Sequence, residues 1–192
     1  QTKGKTYLAR QDNIHKYTAG RFLPDGLAGY ARPVEDDQFH ELCPIPANQT
    51  TQTISEVLIV CDADLSIKDR HHLFECYDKI IVLFLENESR DIKLHENLNR
   101  FKETALLDFS RKVDNTSIVK STEFERVIGN TKKFDVIYPC VGENKDFLTD
   151  LAEEHGLELS FLAREADLFA WQFANKGFFN FKKNIVHIIN EI

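Results

Sequence analysis

The sequence predicts a three-layer α/β fold built on a doubly wound, five-stranded parallel sheet. Two apolar runs, VLIVC at Val57–Cys61 and KIIVLFL at residues 79–85, lack the alternation of a half-exposed strand and are typical of strands buried on both faces. Segments with the apolar spacing of amphipathic helices separate these runs from three later strands. Strands that alternate with helices form right-handed crossovers, so we expect a parallel sheet covered by helices on both faces.

The elements can be placed in order along the chain. Strands are expected at residues 57–61, 79–85, 117–120, 134–139 and 157–162, with the first of them at the centre of the sheet. Helices are expected at residues 69–77, 96–113, 122–128, 144–155, 169–174 and 180–190. In the helix over residues 96–113, for example, Leu98, Phe101, Ala105 and Phe109 recur at the spacing of one helix face.

The first 56 residues differ from the rest of the chain. Glycine and proline interrupt them repeatedly, and no helical apolar pattern persists for more than two turns. The polar, proline-containing tract at residues 44–53 predicts a linker. We therefore divide the chain into an irregular N-terminal extension and linker, residues 1–56, and an α/β domain, residues 57–192.

Composition excludes several classes of function. Hydrophobic residues make up 42% and charged residues 29% of the 192, as in globular proteins rather than disordered ones. A net charge of −7 argues against a nucleic-acid partner, and no apolar run is long enough to predict a membrane helix. The cysteines lie far apart without a CxxC pair, which favours reduced, mostly buried thiols and a cytoplasmic location; they are Cys43, Cys61, Cys76 and Cys140.

The position of a ligand site follows from the predicted sheet. In doubly wound sheets ligands bind beyond the carboxyl ends of the strands, where the strand order reverses. We therefore expect the site in the loops after the first and fourth strands. The candidate ligand-binding residues are Cys61, Asp62, Asp64, Ser66, Pro139, Cys140, Gly142, Glu143 and Asn144.

Two features of these loops have alternative interpretations. Asp62 and Asp64 form a D-x-D pair that could hold a divalent cation bridging nucleotide phosphates, or could cap the turn and the next helix; we expect the capping role. Cys140 could be a nucleophile only with a base beside it, and we expect a buried thiol. Neither a G-x-G-x-x-G string nor a phosphate-binding P-loop string is present.

The C-terminal stretch is rich in aromatic residues. Phe169, Trp171, Phe173, Phe178, Phe179 and Phe181 fall close together beside Lys176, Lys182 and Lys183. Such rings could stack on bases or on a flavin-like ring, but more often they seal a core or contact a neighbouring domain. We expect Trp171 and Phe178 to be buried, and we take Trp171, Phe178, Phe179 and Lys182 as a candidate interaction surface.

Several of these pieces together resemble the N-terminal domain of the photolyase/cryptochrome family. That family opens with a buried strand, a D-L-[RS]-like turn and an acidic residue at the first helix, a pattern matched here by Asp64, Leu65, Ile67 and Asp69. Ser66 stands where the family usually has arginine, and Arg70-His71 stand where it often has Asn-Pro. The segments FKETALLDF, FDVIYP, LELSFL and GFFNFKKNI then follow in the family's order, so the resemblance covers about residues 57–185.

The resemblance implies an antenna-type, Rossmann-like domain without the flavin-binding helical domain. It suggests a binding or interaction module that holds a nucleotide or an aromatic chromophore, pairs with a separate flavin domain, or forms a homo-oligomer. No photolyase activity and no flavin- or lesion-binding residue is transferred to this chain. The alternative is an enzyme, a metal-dependent transferase that acts on a nucleotide-activated substrate through Asp62 and Asp64.

Overall fold

The computed structural model of the chain describes residues 9–27, 49–174 and 177–191. Cys43 and Lys176, which were considered above, lie outside these residues. The chain divides into two compact units, Gln1–Cys43 and Pro44–Ile192. In the described part of the first unit, where the sequence predicts no regular structure, the chain forms a short helix, α1 (Gln11–Tyr17).

The described part of the second unit is built on a parallel sheet. Its strands are β1 (Gln49–Thr50), β2 (Val57–Cys61), β3 (Lys79–Phe84), β4 (Thr116–Lys120), β5 (Lys133–Ile137) and β6 (Glu158–Leu162). They lie in the order β1-β6-β5-β2-β3-β4, and every neighbouring pair is parallel. The predicted α/β fold is therefore confirmed, with β2 at the centre of the five longer strands.

Strand β1 corrects the predicted linker. Its two residues pair with Phe161 and Leu162 at the edge of the sheet. Further along the segment, the backbone N–H groups of Ile54 and Ser55 both donate to the carboxylate of Asp135 in β5. The sheet therefore begins before Val57, and residues 49–56 are part of the α/β unit rather than a free connection.

Helices cover both faces of the sheet. On one face lie α2 (His71–Phe74) and α3 (Glu96–Ser110), and on the other lie α4 (Phe124–Ile128), α5 (Glu143–His155) and α6 (Glu165–Trp171). The last helix is α7 (Phe178–Glu191). Helix α2 is shorter than predicted because a 3-10 turn, Lys68–Arg70, occupies its expected start. No helix in the described residues is long and apolar enough to cross a membrane.

The two faces of the sheet explain why β2 is apolar throughout. Leu58 and Val60 pack in the cluster beneath α2 and α3, whereas Ile59 and Cys61 pack in the cluster beneath α4 and α5. Successive side chains of a strand point to opposite faces, so a strand covered on both sides has no position that faces water.

Strand β5 contains one charged residue in this core. Asp135 is completely buried, and its carboxylate accepts a hydrogen bond of 2.9 Å from the Tyr77 hydroxyl besides those from residues 54 and 55. Burial and this hydrogen bond raise the pKa of Tyr77, so the phenol stays protonated as the donor. Asp135 thus fixes the segment before β2 onto the middle of the sheet.

Candidate functional site

The strand order reverses between β2 and β5. Chain connections run from β2 through β3 to β4 on one side, and from β5 to β6 on the other. The helices that follow β2 and β5 consequently lie on opposite faces, and sheets of this kind bind ligands beyond the carboxyl ends of the strands at such a reversal. The loops after β2 and β5, where the sequence predicts the site, both begin at this reversal.

Asp62, in the loop after β2, contacts helices on both faces of the sheet. Its side chain is only 6% exposed, and its Oδ1 accepts a hydrogen bond of 2.7 Å from Asn144 Nδ2 at the start of α5. Its other carboxylate oxygen forms an ion pair with Lys102 on α3. The two loops therefore meet through a buried, charge-paired carboxylate.

Two buried amide oxygens, one in α5 and one in α3, have no hydrogen-bond partner among the described residues. They are Asn144 Oδ1 and Asn99 Oδ1, and Asn99 lies one helical turn before Lys102 on α3. Sequence reasoning missed Asn99 and Lys102. Both lie in line with the buried Leu106 and Phe109, whereas Leu98 and Phe101 of the predicted apolar face are 43% and 69% exposed, so no apolar pattern marked these two residues.

Asp64 forms a second polar cluster with two arginines. Its Oδ1 accepts a hydrogen bond of 3.1 Å from the Ser66 N–H, which is the turn-capping role expected for an aspartate here. Its Oδ2 lies 3.0 Å from Arg70 Nη2 and 2.7 Å from Arg164 Nη2. Asp62, in contrast, has side-chain partners instead of the expected backbone cap.

Arg70 is the least compensated charge in this cluster. Its side chain is 7% exposed. Among the described residues, its only ion-pair partner is the carboxylate that it shares with Arg164, and its Nη1 has no hydrogen-bond partner. Burial lowers the pKa of the Arg70 guanidinium, although Asp64 opposes this. Arg164 is better compensated, because Asp69 and Asp167 lie 3.7 and 3.3 Å from it.

A cleft of about 560 Å³ borders both arginines. It lies between the end of β6 and the segment that leads into α2. Besides Arg70 and Arg164, its wall includes Thr51, Lys68, Asp69 and Leu162. The Asp64 cluster thus presents a buried cation at the wall of a space large enough for a small molecule.

The D-x-D pair is not arranged as a metal site. Asp62 is paired with Lys102 and Asp64 with the two arginines, so a divalent cation would have to displace an ammonium or guanidinium group from each. Across the described residues, no group of three or more His, Cys, Asp or Glu side chains could hold a metal ion. Of the two aspartates, only Asp64 has the expected capping role, because its carboxylate accepts the backbone N–H of Ser66 in the turn.

Glu143 has a structural role at the start of α5. Its carboxylate accepts a hydrogen bond of 3.0 Å from the Ile92 N–H and another of 2.6 Å from Arg90 Nη1. The hydrogen bond from Ile92, together with the guanidinium of Arg90, holds the pKa of Glu143 below its ordinary value. Glu143 therefore ties the loop after β3 to α5 and has no carboxylate oxygen free of partners.

The remaining candidates differ in exposure. Cys61 is buried, and burial raises the pKa of its thiol, so this thiol stays protonated and unreactive. Cys140 is exposed, which corrects the expected buried thiol: it has a left-handed φ of 62° and points away from the core, and within the described chain no base is hydrogen-bonded to it. Pro139 is buried, Gly142 has a φ of 126°, and the Ser66 hydroxyl lies 3.4 Å from Asp69.

The aromatic tail is divided between two helices. Trp171 is partly buried against Tyr138, with ring centroids 5.6 Å apart. Phe178 is 65% exposed, so its predicted burial is wrong. Helix α7 begins at Phe178, and the face of α7 that meets α6 presents His187 rather than Phe178.

Comparison of the chain with protein families, with curated proteins and with solved structures gave no match. The fold and the site define a doubly wound, parallel α/β protein with two clusters of paired polar side chains at the carboxyl edge of its sheet.

Proposed function

We propose that the α/β unit is a binding module for a small anionic ligand of the nucleotide type, held at the carboxyl edge of the sheet. The observation that supports this most directly is the unpartnered Nη1 of the buried Arg70 at the wall of the cleft. Phosphate and carboxylate groups are the ligands that arginine binds in a bidentate manner.

The hydrogen-bonding capacity of Arg70 favours an anion. Two guanidinium groups share the carboxylate of Asp64, and a buried charge without full compensation is costly. Asp69 and Asp167 lie beside Arg164 and also act on Arg70 through their charges. An anion would bind chiefly at Arg70 Nη1, and Arg164, whose side chain is 35% exposed, would move to admit it.

Two amide oxygens outside the wall of the cleft suit the polar part of such a ligand. Among the described residues no donor reaches Asn144 Oδ1 or Asn99 Oδ1, and hydroxyl or amino groups of a sugar or a base would supply the donors. The cleft itself, about 560 Å³, falls in the usual size range for small-molecule sites.

Thermal unfolding of the full chain with AMP, ATP and inorganic pyrophosphate tests this proposal. We expect at least one of them to raise the melting temperature in proportion to ln(1 + [L]/Kd). The increase should be lost in Arg70→Gln and retained in Arg126→Gln, which alters an exposed arginine on α4. Each variant is compared with its own ligand-free melting temperature, because Arg70→Gln also removes a partner of Asp64.

Two results would contradict the proposal. If none of the three compounds raises the melting temperature, the proposal of a nucleotide-type ligand is contradicted. An equal shift in wild type and Arg70→Gln would show that the anion binds elsewhere.

The resemblance to photolyase N-terminal domains leads to a narrower proposal, an antenna-like module that holds an aromatic chromophore or pairs with a separate flavin domain. Its support is the order of the sequence motifs together with a doubly wound sheet whose first long strand is central. A visible absorption spectrum of the purified protein tests the chromophore. Protein side chains absorb only up to roughly 320 nm. A purified protein without absorbance beyond that wavelength would contradict the bound chromophore and leave only the proposal of a colourless ligand.

No observation favours the alternative, a metal-dependent transferase. It requires Asp62 and Asp64 to exchange their lysine and arginine partners for a cation. A stability gain with Mn²⁺ that Asp62→Asn abolishes would reinstate it.

The cytoplasmic location also remains a proposal. Cys61, Cys76 and Cys140 are all free thiols, and exposed free thiols such as Cys140 are compatible with a reducing compartment.

A further inference from the structure

Helix α7 has an inner apolar side that packs within the chain and an adjoining apolar side that is exposed. Its inner side contacts α6, where the ring of His187 lies 5.7 Å from that of Phe169 and 5.6 Å from that of Phe173. Ile188 is buried on the same side, and Asn180 Nδ2 donates a hydrogen bond of 3.2 Å to the Phe173 carbonyl. This inner side of α7 therefore packs against the rest of the chain, chiefly through Ile188 and the ring of His187.

The other apolar side of α7 is exposed. Phe178, Phe179, Val186 and Ile189 are exposed by 65%, 78%, 72% and 69%. With 100° of rotation per residue, these four side chains fall within one sector of about 100°, and the half-buried Ile185 and Phe181 connect this sector to the buried Ile188. Of the charged residues in this helix, only Lys182 lies inside the sector. We call these four residues and Lys182 the α7 outer face.

We propose that the α7 outer face is a homodimer interface, in which α7 of one copy packs antiparallel against α7 of a second copy. The four apolar side chains expose about 550 Å² per copy, so a symmetric pair would bury at most roughly 1,100 Å², near the lower limit of specific interfaces. A contiguous apolar patch of this size is at the upper end of what monomers expose, and such patches often mark an interaction site. The expected dimer is therefore weak and depends on concentration.

The spacing of the outer face fits a twofold axis. Phe179, Lys182, Val186 and Ile189 are separated by three, four and three residues, a pattern that is unchanged when the helix direction is reversed about Asn184. In an antiparallel pair, Phe179 lies opposite the partner's Ile189, and Lys182 lies opposite the partner's Val186. The lysine stem then covers Val186 while its ammonium group reaches water at the rim.

Sedimentation equilibrium of the full chain over a range of micromolar concentrations tests the interface. We expect a reversible monomer–dimer equilibrium that Val186→Lys weakens at least about tenfold, because the new ammonium group then faces that of the partner's Lys182 at the centre of the contact. Ile92→Lys is the matched control, since Ile92 is also 72% exposed but lies in the loop after β3. Circular dichroism verifies that both variants keep the helix content of the wild type.

A charge-complementation experiment tests the antiparallel register. Phe179→Lys alone and Ile189→Lys alone should each weaken the dimer, and the double variant Phe179→Lys/Ile189→Glu should restore it, because opposite charges then face each other across the pair. The double variant Phe179→Lys/Ile189→Lys should remain monomeric. A wild-type chain that is monomeric at every concentration, or a dimer unaffected by Val186→Lys, would overturn the proposal.

Discussion

Asp135 offers the sharpest test of how this fold is held together. The substitution Asp135→Leu removes the acceptor for three donors, the Tyr77 hydroxyl and the backbone N–H groups of Ile54 and Ser55. Tyr77 is only 1% exposed and cannot be hydrated instead, whereas Ile54 and Ser55 lie near solvent. The loss of stability in Asp135→Leu should therefore come mainly from the Tyr77 hydroxyl, which is left buried without an acceptor.

The magnitude follows from these contacts. A buried donor without an acceptor costs about 1–3 kcal/mol, and hydrogen bonds to a charged group are at the upper end of the range. Counting the Tyr77 hydroxyl fully and the two backbone N–H groups partly gives a loss of about 3–5 kcal/mol in the free energy of unfolding. This loss is partly offset because the variant no longer buries a carboxylate. This is a large part of the roughly 5–15 kcal/mol that a domain has in total.

Urea unfolding measures this free energy. Tyr77→Phe should cost about 1 kcal/mol by itself, and the double variant Asp135→Leu/Tyr77→Phe should be less destabilised than the sum of the single variants. Ser160→Ala is the control in the neighbouring strand, because Ser160 pairs with Asp135 in register but its buried hydroxyl has no hydrogen-bond partner in the described part of the chain. An Asp135→Leu cost below about 1 kcal/mol, or strict additivity with Tyr77→Phe, would refute this account.

Two further predictions concern the carboxyl edge of the sheet. Alkylation of the native protein followed by mass spectrometry should modify Cys140 but spare Cys61 until the chain unfolds, because Cys61 is buried and its pKa is raised; equal labelling of the two would contradict the structure. The lowered pKa of Glu143 means that its stabilising effect is complete above its ordinary pKa of 4.5 and is lost as the pH falls through the lowered value. Melting temperatures measured between neutral and acidic pH should therefore fall more steeply below pH 4.5 in the wild type than in Glu143→Gln, and parallel curves would exclude this role.

The sequence determined the fold class and the edge at which the candidate site lies. Apolar runs such as Val57–Cys61 indicate a strand buried on both faces, and this pattern is local, so it can be read without the structure. Once the strands are parallel, their carboxyl ends must meet at one edge. That constraint is why the loops containing Asp62 and Asn144 could be expected to approach each other, and they are joined by a hydrogen bond.

Only the tertiary structure decided which charges pair at that edge. Lys102 is 40 residues from Asp62, and Arg164 is 100 residues from Asp64, so no local periodicity connects them. Strand β1 escaped detection because two residues are too few for an alternation to be visible. Phe178 and Cys140 differ from expectation for a related reason: sequence shows that a side chain is apolar, but the packing of the neighbouring elements decides which apolar side chains are covered.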